Sequence, residues 1–213
     1  MVGLATRIGP TIKLIHRRIC SRVMPDVASS AISTLDSEEP LSAVEKGLAL
    51  ERAAIKVLSR FHFQLRHVGG ANDRGVDLRG TWPLPSARSS PPSQQLSPPS
   101  LIPPINVIIQ CKNEATCIGP KVIRELEGTL TKETGLTLGL LVTSNGLSRR
   151  ALDAIQAATL PIGFATIDNI YNPTLVELQF NHVAQRTILS DIVIAPRYVK
   201  AENGAWTRQV VIR

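Results

Sequence analysis

The 213-residue chain is 43% hydrophobic and 4% aromatic, which is enough apolar surface for one domain with a core of its own. No apolar run approaches the roughly 18–20 residues of a membrane span, and the three cysteines, Cys20, Cys111 and Cys117, follow no zinc spacing and read as reduced thiols. The formal net charge is +7, but five cations (Arg7, Lys13, Arg17, Arg18 and Arg22) precede Asp26 with no acid among them; removing those five from +7 leaves +2, which excludes a strongly basic body.

The first 24 residues, MVGLATRIGPTIKLIHRRICSRVM, mix apolar and basic residues and contain no acid. Ile8, Ile12, Ile15 and Ile19 recur at helical spacing. This is the composition of a mitochondrial transit peptide, without the continuous apolar stretch of a secretory signal. Residues 1–40 are therefore read as transit peptide and linker, which implies a mitochondrial location, with the matrix as the destination.

From Ser42 the pattern becomes helical: Val44, Leu48, Ile55 and Leu58 share a spacing, and Ser42 with Glu45 forms a capping box. FQLRHV then alternates like a strand, GGAND is a turn and GVDLRGTW is a second strand. Residues 83–104 crowd eight prolines among serines and glutamines, which fits neither a ladder nor a helix. They read as a disordered insert between two strands. INVIIQCKN is a third, buried strand, and GPKVIRELEGTLTKE is a helix with Pro120 in its first turn. TLGLLVTSN, SRRALDAIQAA and IGFATID continue as strand, helix and strand. Residues 175–213 hold further β-prone pieces, DIVIAP and RQVVIR among them, that the pattern does not place.

The element order predicts a mixed α/β domain over residues 41–174, a central mixed sheet flanked by helices, followed by a β-rich C-terminal extension over 175–213. Within it, three polar residues occupy positions where hydrophobes would be expected. Gln110 and Lys112 lie two apart in the third strand and so share a face, with Cys111 on the other. Asp77 interrupts the second strand between Val76 and Leu78. If these strands pair, a carboxylate, an amide oxygen and an ammonium converge. A hard divalent cation takes such oxygens together with water, and it activates that water and offsets phosphate charge. Glu51, one turn from Leu48 and Ile55 on the first helix, is a carboxylate on the buried side and needs a partner. A metal or Lys112 would supply one.

The combination of Glu51 on a helix, GGANDRGVDL leading into Asp77, and Gln110-x-Lys112 at a strand end resembles the PD-(D/E)xK, or restriction endonuclease-like, superfamily. Its Mrr-type branch carries Gln in place of the acid before the lysine. IGPKVIRELEG and LGLLVTSNGLSRRALDAI resemble that branch's following helix and strand–helix unit, so the likeness covers Ser42 to Asp168. With the transit-like N-terminus, the chain is most similar to the fungal mitochondrial family named "required for respiratory growth". The resemblance implies a restriction endonuclease-like fold, Asp77 and Gln110 as metal ligands, Lys112 as the catalytic lysine and Glu51 as an accessory carboxylate. It implies Mg2+, with Mn2+ as an alternative, and phosphodiester hydrolysis in nucleic acid, mitochondrial DNA first. The proline-rich insert departs from the usual short connection between Asp77 and Gln110.

Lys121 and Arg124 open a helix beside the motif, where they would meet phosphates or line a solvated face. Arg149 and Arg150 read as solvated charge, Asp73 as a turn residue, and His62, His67 and His182 as ordinary histidines without triad spacing. Two classes of function fit the chain. The first is a metal-dependent nuclease, favoured by the retained Asp77, Gln110 and Lys112. The second is a catalytically inactive nucleic-acid-binding or assembly factor, favoured by the weak basicity of the body. Sequence leaves DNA versus RNA and the oligomeric state, a dimer included, open.

Overall fold

A computed structural model describes residues 42–68, 75–84, 104–190, 192–200, 204 and 206–212. The transit peptide of residues 1–40, the turn at 69–73 and nearly all of the proline-rich insert lie outside the described residues.

Helix α1 (Ala43–Leu58) starts where the capping box places it. The Ser42 hydroxyl accepts from the Glu45 N–H, and Glu45 Oε2 accepts from the Ser42 N–H at 2.8 Å. Those bonds hold the Glu45 carboxyl below its ordinary range. The expected apolar stripe is shifted, however. Leu50, Ala53, Ala54, Val57 and Leu58 are buried, whereas Val44 is 72% exposed and Leu48 36%. None of residues 42–49 is buried, so the first two turns run past the face that the rest of the helix packs on the sheet.

A single 3-10 turn (Ser59–Phe61) leads to β1 (Gln64–His67). Then come β2 (Leu78–Trp82), β3 (Ile105–Lys112), α2 (Pro120–Leu130), β4 (Thr137–Thr143), α3 (Arg149–Ala157) and β5 (Ile162–Asp168). Pro120 sits in the first turn of α2, and the Ser148 hydroxyl caps α3 by accepting from the Ala151 N–H. Strand β4 is buried at every position because helices cover one face and α1 the other.

The C-terminal region departs from the expected division after residue 174. It supplies β6 (Thr174–Phe180) and α4 (His182–Thr187), then a separate hairpin of β7 (Ile194–Lys200) and β8 (Trp206–Ile212). Strand β6 is the sixth member of the main sheet, ordered β1-β2-β3-β4-β5-β6. The pairs β1/β2, β2/β3 and β5/β6 are antiparallel, and β3/β4/β5 run parallel. The expected central mixed sheet flanked by helices is therefore the architecture, but the domain runs on through α4. Leu175, Leu178, Phe180, Ala184, Ile188 and Leu189 belong to the same buried cluster as α1. The second cluster, on the opposite face, holds Ile108, Ile123, Leu126, Leu141, Ile155 and Phe164 beneath α2 and α3.

At one end of the sheet Trp82 stacks on Phe63 at 4.1 Å between ring centroids and donates its indole N–H to the Phe61 carbonyl. Here β2 departs and β3 returns, so the insert is attached to a rigid aromatic anchor. Asn181 ties the other components together. It is fully buried; its Oδ1 accepts from the Ile162 and Ala184 N–H groups, and its amide donates to the Leu160 carbonyl at 2.8 Å. Of the cysteines, Cys111 is a free thiol, Cys117 is disulfide-bonded contrary to the reading of it as reduced, and Cys20 lies outside the described residues. Among the described residues no helix is long and apolar enough to cross a membrane.

Asn181→Ala strands the Ile162 amide and the Leu160 carbonyl and uncaps α4; the expected loss is about 2–3 kcal/mol, read as a fall of roughly 5–10 °C in thermal midpoint. Replacing residues 85–102 by a short Gly/Ser loop should move the midpoint by only a few degrees, since loop length alters closure entropy slowly. A large drop would show that the insert packs.

Candidate active site

Strand β2 begins its ladder against β3 with Leu78 opposite Ile109. One residue earlier, the Asp77 N–H donates to the Ile109 carbonyl at 2.9 Å, and the Asp77 carbonyl accepts from the Val68 N–H. Asp77 is thus held from both sides by main chain at the point where β2 comes into register. Beyond it β3 continues as Gln110, Cys111 and Lys112, which pair with β4 but have no register partner on β2. The Asp77 side chain fills that place: its Oδ2 accepts the Cys111 N–H at 2.6 Å. A carboxylate therefore substitutes for a ladder carbonyl, on the amide between the two predicted motif residues.

Gly75 makes the approach to Asp77 passable. Its φ is +76°, a conformation that side-chain-bearing residues rarely adopt, and a Cβ there would lie 3.0 Å from the Gln110 amide nitrogen. Gln110 is itself buried. With its Nε2 against Gly75, its Oε1 is left farther from that glycine.

Alternation puts Cys111 against the α1 side of the sheet and Gln110 and Lys112 toward the α2/α3 side. The two sets still meet electrostatically at the strand end. Burial pushes the Cys111 thiol well above its ordinary range; the negative charges of Asp77 and Glu51 push it further, and Lys112 opposes them. Asp77, Glu51 and Lys112 consequently lie within charge–charge reach of one sulfur. Glu51 pairs with His67, whose Nε2 meets Glu51 Oε2; the Glu51 side chain is only 12% exposed and that of His67 42%.

The sequence reads His67 as ordinary, and alternation along β1 reveals its direction only once the packing of Leu65 is known. His67 lies two residues from Leu65 in β1, and Leu65 packs against the α1 cluster, so His67 had to face α1 as well. Asn113 was also missed. It donates to the Lys46 carbonyl of α1 at 2.9 Å and accepts from the Ser144 hydroxyl at 2.7 Å, fastening the end of β3 to α1 and to the loop after β4. The predicted phosphate contacts Lys121 and Arg124 are exposed near the start of α2, with Lys121 3.7 Å from Glu125. Arg149 pairs with Asp153 at 3.4 Å on the exposed side of α3. The insert leaves from Trp82, the end of β2 remote from Asp77, so it does not separate the motif residues in space.

A profile of the family described as Required for respiratory growth protein 7 matches residues 42–197. The chain belongs to this family. A mitochondrial protein of Schizosaccharomyces pombe is 27% identical over 158 residues, covering 73% of this chain and 59% of that protein. Family members named "Required for respiratory growth protein 7, mitochondrial" from Zygosaccharomyces rouxii and Candida glabrata are 25% and 26% identical, covering 60% and 73% of this chain and 65% and 74% of their own lengths. The chain thus spans about six tenths of the length of the first two of these relatives. All three carry "mitochondrial" in their names, in agreement with the expected location. Among solved structures, the MspJI restriction endonuclease in complex with a 27-mer oligonucleotide overlaps 65% of this chain and 33% of its own, at 19% identity and a TM-score of 0.37. A likeness of that extent carries no assignment, and the mixed sheet rests on its own strand order.

Removing the negative charge of Asp77 should lower the Cys111 thiol toward its ordinary range and raise its thiolate fraction. Asp77→Asn should therefore speed alkylation of Cys111 by about three- to tenfold at mildly alkaline pH, followed by mass spectrometry of the Cys111 peptide. An unchanged rate would separate the two groups electrostatically.

Proposed function

We propose that this family member is a mitochondrial, Mg2+-dependent nuclease of the restriction endonuclease-like class, acting in the matrix on DNA. The observation that carries the reading is the bond from the Cys111 N–H to the Asp77 carboxylate, because it sets that carboxylate beside the Gln110-x-Lys112 strand end. The donor chemistry fits a magnesium-like ion. Asp77 and Gln110 offer hard oxygens; among the described residues no group of three or more His, Cys, Asp or Glu is placed to hold a metal ion, so water and substrate phosphate would have to supply the remaining ligands. Mg2+ commonly takes one or two carboxylates and completes its shell with water and substrate phosphate; Mn2+ fits the same donors. When bound, such an ion neutralises phosphate charge and lowers the pKa of a coordinated water.

In this reading Asp77 and Gln110 hold the cation. The Lys112 ammonium orients the attacking water and offsets charge on the phosphoryl oxygens in the transition state. Glu51, kept in place by His67, is the accessory carboxylate on the α1 side. Water adds to phosphorus and loses a proton to solvent, the bond to the leaving oxygen breaks, and that oxygen takes a proton from solvent water and leaves as a hydroxyl. Lys121 and Arg124, exposed near the start of α2, are phosphate contacts in this reading.

A second reading has its own support. The Asp77 carboxylate caps an amide and Glu51 pairs with His67, so both acids have structural partners without any metal. A catalytically inactive nucleic-acid-binding or assembly factor would keep them for that reason.

The variants separate the two. Asp77→Asn retains an acceptor for the Cys111 N–H, whereas Asp77→Ala does not. Both should abolish Mg2+-dependent cleavage of plasmid, linear or single-stranded DNA, and only Asp77→Ala should lose stability, by about 1–2 kcal/mol. Lys112→Ala should cut turnover at least about a hundredfold while binding metal nearly as well. Gln110→Glu should keep measurable activity, since a carboxylate still offers oxygen to the ion. A wild-type protein that neither binds Mg2+ or Mn2+ by calorimetry nor cuts any nucleic acid would leave the inactive reading standing.

A further inference from the structure

The chain after Pro25 carries a formal +2, with 19 of the 24 cations against all 17 acids. That excess is not spread over the domain. The hairpin from Ile194 to Ile212 holds Arg197, Lys200 and Arg208 against Glu202 alone, which is three against one and again +2. The rest of the body is therefore charge-balanced, and its surplus sits on one two-stranded ribbon. The two strands themselves contain no acid.

Alternation along β7 puts Tyr198 and Lys200 on one face of the ribbon and Arg197 on the other. Strands β7 and β8 pair residue for residue, from Ile194 opposite Ile212 to Lys200 opposite Trp206. At the base, Ile194, Val210 and Ile212 pack against the α1-side cluster, and the ribbon lies beside β6. Toward the tip, Arg197, Tyr198 and Lys200 are exposed, Tyr198 by 62%, and the register partner of Tyr198 is Arg208. One end of the ribbon is thus anchored by aliphatic packing while the other presents cations and an aromatic ring to solvent.

We propose that this β7–β8 ribbon is a duplex nucleic-acid-binding element. A two-stranded ribbon has the width to enter a major groove of about 12 Å. Arginine and lysine contact phosphates, and an exposed tyrosine adds a ring and a hydroxyl for the sugar–phosphate backbone. An anionic bilayer fits less well, because the exposed residues of β7, Ala195, Pro196, Arg197, Tyr198 and Lys200, include no long aliphatic chain, and the exposed Val193 lies at the base of the ribbon away from its tip. The inference does not depend on cleavage: a binding factor with no catalytic activity would use the same element.

The test is fluorescence anisotropy of the full-length protein with a labelled 20-base-pair duplex in EDTA, across a series of salt concentrations. Wild-type protein should bind with a salt slope to which Arg197 and Lys200 each contribute about one unit. Arg197→Glu/Lys200→Glu should weaken binding at least about tenfold near physiological salt and flatten the slope by about two. Tyr198→Ala should weaken binding with the slope retained. A control with the same change of charge, Lys56→Glu/Lys132→Glu, should keep the wild-type slope. Should the double reversal unfold, as read by circular dichroism, Arg197→Gln/Lys200→Gln takes its place. The proposal is overturned if the ribbon variants bind the duplex as tightly and with the same slope as the control. It is also overturned if wild-type protein binds vesicles of 30% phosphatidylserine but no duplex. Because EDTA suppresses cleavage, loss of nuclease activity in the Asp77 variants leaves this measurement intact, and the two readings fail separately.

Discussion

The site depends on one substitution of groups: a carboxylate oxygen where a ladder carbonyl would otherwise be. As long as β2 pairs with β3, main-chain bonds fix the two strands. At Asp77 the pairing gives way, and the Cys111 N–H needs an acceptor in a half-buried place. The side chain of Asp77 meets that need at 2.6 Å, a short charge-assisted bond. The same contact therefore ends the sheet edge without an orphaned donor and fixes a negative charge next to Gln110 and Lys112. A hydrophobe at residue 77 could do neither.

Around that contact the sheet end is braced by side chains rather than by further strands. Asn113 holds the α1 main chain and Ser144. The Asn145 side chain donates to the Glu114 carbonyl, and the Thr143 hydroxyl accepts from the Asn145 N–H. The loops that leave β3 and β4 are also joined by main-chain bonds between Ile118 and Gly146 and between Ser148 and Ile118. Loops at the carboxyl ends of parallel strands are the usual place for ligand groups in α/β sheets. Here they are cross-braced, so α1 with Glu51 and β3 with Lys112 are held in one frame. The opposite end carries the Phe63–Trp82–Phe180 stack and the root of the insert. That division attaches a long polar insertion, which lies between Asp77 and Gln110 in sequence, at the sheet end remote from them.

How much of this was legible depended on the range of the interaction. The capping box of α1, the proline start of α2 and the Ser148 cap of α3 are local, and residue spacing alone announces them. Strands β3, β4 and β5 are long apolar runs buried on two faces, which leaves little ambiguity. Strand β6 was not placed, since its polar Glu177 and Gln179 alternate with Leu175, Leu178 and Phe180 across an irregular register with β5. The Val44 and Leu48 stripe misled because helical spacing does not report where a helix overhangs its sheet. At the site, Asp77, Gln110 and Lys112 were legible as polar residues in apolar strands. The Glu51–His67 pair was not, because it requires β1 to fold back along α1 over sixteen residues of separation.

The electrostatics of the site bear on how a polyanion reaches it. At Cys111 two carboxylates oppose a single lysine, and the thiol is driven upward because negative charge and burial both disfavour the thiolate. A phosphate brought to the same place meets the same field and is disfavoured unless a cation is added. On the proposed reading, such a site would gain affinity for nucleic acid only when a metal ion is bound. The remaining body is nearly neutral in formal charge. If the protein is to hold nucleic acid before a metal completes the site, the attraction has to come from a separate, locally cationic element. In charge and exposure, the hairpin beyond β6 is the described part of the fold that meets that requirement.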